Sequence, residues 1–114
     1  MCLSSTEWTK KIPKDEPIVA WKAMRPTYED KYEAPVMGEL YVLGKEYTSD
    51  GGPGFHAFEE ESSARLYCGP GETVRKVFIW GAVSKGLQPM QALIAGSFKH
   101  TYKLAYAAEC MRMV

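Results

Sequence analysis

Apolar and polar positions fall into short blocks along the chain, with breaks of Gly and Pro between them. From Ile18 to Met24 one set of alternate positions is Val19, Trp21 and Ala23, and the other is Ile18, Ala20, Lys22 and Met24. Apolar content on both sides predicts a strand covered on both faces, ended by Pro26. Thr27 to Pro35 reads as a polar, aromatic loop carrying Tyr28 and Tyr32. Glu39 to Leu43 predicts a short strand, Gly44-Lys45 a tight turn, and Glu46 to Thr48 its hairpin partner. The run Ser49 to Gly54 holds three glycines and a proline, so it predicts a loop. Gly54 to Phe58 follows as a strand. Glu59, Glu60 and Glu61 then supply the acidic first turn that a helix dipole favours, and Ala64, Tyr67 and Cys68 give that helix one apolar side. Gly69-Pro70-Gly71 stops it.

Thr73 to Val83 is the strongest strand pattern: Val77, Ile79 and Val83 alternate with Phe78, Trp80 and Ala82, which predicts a central position in the sheet. After Pro89 the 3.6-residue spacing of Met90, Leu93, Ile94, Phe98, Leu104, Ala105 and Ala108 predicts a longer helix with Lys99 and Lys103 opposite. Tyr106 to Val114 fits either a strand or a continuing helix. Residues 1–17, polar and interrupted by Pro13 and Pro17, predict a flexible lead-in. The pattern therefore predicts a single α+β domain over residues 18–114, with a twisted, mainly antiparallel sheet of four to six strands, one short helix and one longer helix.

Composition narrows the class. The chain has 114 residues, 46% hydrophobic and 25% charged, which suits one folded domain and argues against disorder of the whole. Its apolar runs are far shorter than the roughly 18 residues of a membrane helix. The first residues, rich in Lys, lack the apolar core of a secretory signal, so a cytoplasmic protein is expected. Cys2, Cys68 and Cys110 match neither a zinc nor a redox spacing and read as reduced thiols. Net charge is zero, yet residues 1–61 hold seven Lys/Arg against twelve Asp/Glu and residues 62–114 hold seven against two. That split suits docking between halves, a twin subunit in a homodimer, or an anion. With a pI of 6.7, nucleic acid is a poor candidate partner.

Candidate chemistry centres on His56. An imidazole titrating near neutrality can act as acid, base or hydrogen-bond donor, and the glycine loop before it lets a ligand approach the backbone. Glu59 to Glu61 diverge on a helix turn and do not suggest a metal site, and the glycine loop lacks the lysine of a phosphate loop. Trp8, Tyr28, Tyr32, Tyr41 and Tyr47 all lie in the acidic half, and such residues anchor protein interfaces. They favour a binding module, with Tyr28 and Tyr32 as the partner-binding residues.

The segment Gly54-Phe55-His56-Ala57-Phe58, with Ala64 and Tyr67 and then Val74, Val77, Trp80-Gly81 and Val83, resembles a pattern of small uncharacterised proteins of bacteria and their phages. Tyr102 to Ala107 is similar to the ending of that pattern, with Lys103 and Leu104 departing from it. The resemblance implies a phage-associated protein that binds or inhibits a host protein. Residues 54–67 also resemble, more remotely, the glycine-aromatic strand and short helix of the ADP-ribosyltransferase superfamily. That likeness implies an enzyme using NAD, with Trp21, Lys22 and Phe55 around the cofactor, and with His56 and Glu109 as catalytic residues. Glu109 would hold the ribose hydroxyl and stabilise positive charge developing at the sugar. The first strand departs from the superfamily in offering only Lys22 and Arg25, and His56 stands where an aromatic hydroxyl is usual.

Overall fold

A computed structural model describes residues 3–34, 39–50, 54–94 and 96–114, with the backbone alone for 90–94 and 97–100. Among the described residues eight strands and one helix run in the order β1 (Ser5–Ile12), β2 (Ile18–Pro26), β3 (Lys31–Glu33), β4 (Leu40–Val42), β5 (Glu46–Thr48), β6 (Phe55–Phe58), α1 (Glu61–Tyr67), β7 (Thr73–Ile94) and β8 (Ser97–Met113). Every pairing is antiparallel, and the strands are ordered β1-β7-β8-β6-β2-β3-β4, with β5 on β8 and β2 also on β7. The fold is a sheet-dominated domain with one short helix. Cys2 lies outside the described residues, and Cys68 and Cys110 are free thiols. Among the described residues no helix is long and apolar enough to cross a membrane.

The longer helix expected after Pro89 is replaced by a hairpin: Gln88 to Ile94 of β7 pair with Ser97 to Lys103 of β8. The reason lies in where β8 sits. It runs between β7 on one edge and β6 and β5 on the other, and from Ala105 onward apolar residues line both its faces. Tyr106, Ala108, Met111 and Met113 join the main core, while Ala105 joins a second cluster on the opposite face. A strand apolar on both faces loses its period of two, and its residues then match a helical spacing by accident. The stretch from Tyr106 onward, open between helix and strand in the sequence, continues as β8 to Met113.

The flexible lead-in expected over residues 1–17 is corrected in part, because Ser5–Ile12 is an edge strand paired with β7 from Leu87 to Gly81. Trp8 and Ile12 pack against the main core, Trp8 lies 6.2 Å from the Tyr106 ring, and the ammonium of Lys10 sits over Trp8. Two lysines and only one apolar residue in four hide such a strand from a hydrophobicity reading, yet lysines suit an edge that must not recruit other chains.

Met24, Val77, Ile79, Val83, Met111 and Met113 are fully buried in the main core. Each such side chain contributes about 1.5–3 kcal/mol of transfer free energy. On the other face, α1 lays Ala64 over Phe58 and Ala105, with Trp21, Tyr67 and Val74 around them. Glu61 and Arg65, one turn apart, form an exposed ion pair on its outer side.

One irregularity positions a residue of interest. Between Trp80 and Val83 the β7–β8 register shifts, so that Gly81 and Ala82 face the single residue Glu109. Gly81 has a φ of +81°, which makes this a bulge of the glycine type.

Candidate functional site

The turn Gly44-Lys45 forms as expected, with the Lys45 amide donating to Val42 O at 3.2 Å, but β4 and β5 do not pair as a hairpin. Instead β4 joins β3 and β5 joins β8. The amide of Val42 is satisfied by the Tyr47 phenol oxygen at 2.8 Å, a side chain replacing a strand partner. Splitting the two strands onto different neighbours opens a depression of about 610 Å³. Its wall includes Glu39, Leu40 and Tyr41 from β4 and the residues before it, Tyr47 from β5, Asp50, and Phe55 from β6.

Three rings stand edge to face around it: Tyr41 to Tyr47 with centroids 5.0 Å apart at 86°, and Tyr41 to Phe55 at 6.0 Å and 71°. The Tyr41 hydroxyl donates to Glu39 Oε2 at 2.5 Å. Burial, followed by that bond to a carboxylate, pushes the phenol pKa well above its ordinary value, so Tyr41 stays a neutral donor. Glu39 and Asp50 place negative charge on the rim, and no Lys or Arg is among the described residues lining the hollow.

Lys22 lies on β2 between Ala20 and Met24, both in the main core, so its stem enters the interior. Its ammonium donates to the His56 carbonyl at 2.7 Å. Burial lowers its pKa to about 8, partly opposed by attraction to Glu39. His56 is partly buried. Burial first, then the neighbouring Lys22 charge, hold its pKa down to about 4 against a hydrogen bond with the Gly54 backbone. At neutral pH the imidazole is uncharged and a weak base.

The residues grouped by the enzyme reading occupy different places. Phe55 is buried, walls the depression and packs in the main core. His56, next along β6, points to the opposite face and pairs in register with Ala107. Trp21, opposite Phe58, belongs to the cluster under α1. Glu109 sits at the bulge, where its Oε1 accepts the Ala82 amide at 3.1 Å. Lys22 donates to the His56 main-chain carbonyl, and its charge acts on the imidazole as a neighbouring cation that disfavours protonation.

The two partner-binding residues differ in exposure. Tyr28 is 64% exposed, with the Lys31 ammonium over its ring. Tyr32 packs against the core, its ring 5.0 Å from the Arg75 guanidinium and its backbone paired with Tyr41. Tyr41, grouped with the exposed aromatics in the sequence, is buried. Glu59, expected in the acidic first turn of the helix, lies before α1, pairs with Lys85 and accepts from the Tyr106 hydroxyl at 3.4 Å. Sequence reasoning missed Glu39 and Asp50 as site residues; the signal available was their nearness to Tyr41 and Tyr47 in an acidic half.

Among the described residues no group of three or more His, Cys, Asp and Glu gathers to hold a metal ion. No family model, no curated protein and no solved structure matches the chain.

Proposed function

We propose that the chain is a non-enzymatic, phage-associated binding protein that inhibits or sequesters a host protein in the cytoplasm. The observation that carries this reading is the depression between β4, β5 and β6, with aromatic walls and a rim of two carboxylates. Leu40 on its wall is 56% exposed and Tyr28, in the β2–β3 connection, is 64% exposed, and both give a partner apolar area to cover. The electrostatics of His56 support binding over catalysis, since a base with a pKa near 4 is mismatched to proton abstraction at neutral pH. Glu109 is likewise engaged with the backbone of a bulge, and such a carboxylate is a poor ligand for a ribose hydroxyl.

The test is capture with purified partners from the organism that encodes the chain, followed by calorimetry. One saturable partner should bind, and both Tyr28→Ala and Leu40→Ala should weaken it about three- to tenfold, as rim truncations do. Retention of full affinity in both variants would refute the assignment of this face. For the NAD-using alternative, a rise in melting temperature at millimolar NAD is the required result; the binding reading expects none.

A further inference from the structure

We infer that two copies of this chain associate through the outer part of the β7–β8 hairpin, one face of each ribbon packing on its twin about a two-fold axis. β1 leaves β7 at Leu87, opposite Ser5, and β6 leaves β8 at Ala105. Beyond them, six residue pairs from Pro89↔Tyr102 to Ile94↔Ser97 continue as a ribbon that no third strand joins among the described residues. A two-stranded ribbon by itself is marginal in water, so this one gains order from a cover. Its edges discourage a further strand: Pro89 has no amide to donate on β7, and β8 carries Lys99 and Lys103. The cover therefore lies on a face.

Partners across an antiparallel pair share a face, so Pro89 with Tyr102, Gln91 with His100 and Leu93 with Phe98 make one face, while Lys99 and Lys103 fall on the other. The first face is bare where its side chains are described, with Pro89 exposed and Tyr102 58% exposed. It holds no Asp, Glu, Lys or Arg, so it asks for an uncharged, apolar counterface. The same face of a second copy supplies one. Stacked in this way, the two ribbons keep their lysines on the outer sides and oppose no like charges. The whole chain has a net charge of zero, so no long-range repulsion holds two copies apart. Because each copy offers the same face, the contact closes at two. The ribbon face is about 20 Å by 10 Å, well below the roughly 800 Å² per partner of a standard interface, which predicts a weak dimer with a Kd on the order of 100 µM.

The experiment is sedimentation equilibrium of the full chain from about 10 µM to 1 mM, a range that spans the expected Kd. The parent should fit a monomer–dimer equilibrium that changes little with salt. Tyr102→Glu places a charge on the bare face and should weaken the dimer at least about tenfold, whereas Thr101→Glu, the same charge one residue away on the opposite face, should change it less than about threefold. In the unmutated protein, an equal mixture of isotope-labelled and unlabelled chains should show NMR contacts between copies at the Tyr102 ring. A monomer throughout the range, a dimer that survives Tyr102→Glu, equal loss in Thr101→Glu, growth beyond two copies, or contacts between copies confined to other strands would overturn the inference. The binding reading stands or falls separately, since Tyr28→Ala and Leu40→Ala should leave the dimer unchanged; a dimer lost in those variants instead would place the contact on the acidic rim and overturn the ribbon.

Discussion

Replacing Gly81 by Ala isolates what Glu109 does. Gly81 has a φ of +81°, and a Cβ there would lie 2.5 Å from Glu109 Oε1 and 3.2 Å from Glu109 Cβ. The left-handed backbone costs a non-glycine residue about 1–2 kcal/mol. The carboxylate must also swing away, losing its bond to the Ala82 amide, which contributes about 1–2 kcal/mol at a partly exposed site. Gly81→Ala should therefore destabilise by about 2–4 kcal/mol, or roughly 8–16 °C in melting temperature for a domain of this size. Glu109→Ala alone should cost about 1 kcal/mol, and in its background Gly81→Ala should cost about 1 kcal/mol less, because the clash is gone and the backbone strain remains. Urea melts of the four proteins close the cycle. A Gly81→Ala protein within about 0.5 kcal/mol of the parent would refute the bulge geometry. Partner affinity unchanged in Glu109→Ala would agree with a structural carboxylate, and its loss would restore Glu109 as a functional residue.

A Cβ on Gly86 would overlap the backbone oxygen of Ser5, so Gly86→Ala should peel the start of β1 from β7 and expose Ser5–Ile12 to limited proteolysis; protection equal to the parent's would sink this. His56 and Lys22 both have folded pKa values, about 4 and about 8, below their ordinary 6.5 and 10.5. The unfolded chain then binds more protons in each window, so stability rises with pH from about 4 to 6.5 and again from about 8 to 10.5. The His56 contribution, reduced for its partial exposure, is about 1–2 kcal/mol; urea melts should show the acid slope vanish in His56→Gln, and a persisting slope would assign it elsewhere. Lys22→Met removes the cost of a buried ammonium but leaves the His56 carbonyl without its donor, so stability at pH 7 should change by less than about 2 kcal/mol while the alkaline slope disappears. Lys85→Met leaves Glu59 without its ion-pair partner and should cost about 1 kcal/mol, with the loss shrinking in 1 M salt.

Local chemistry carried much of this protein into view. The covered strands around Ala20 and Ile79, the turn at Gly44, the strand Phe55–Phe58 and the helix over Ala64 all follow from alternation, glycine and an acidic first turn, because those signals act within a few residues. What escaped depended on neighbours distant in sequence. β8 reads like a helix until β7 and β6 are placed on both its edges. β1 carries too little apolar surface to announce itself until Trp8 meets Tyr106, nearly the length of the chain away. The hollow exists because β4 and β5 part to different partners, bringing Glu39, Tyr47, Asp50 and Phe55 around it. Short-range propensity decided which segments would extend or coil. Only the tertiary structure decided which extended segments became neighbours, since backbone pairing and shared burial reward contacts that no local window contains.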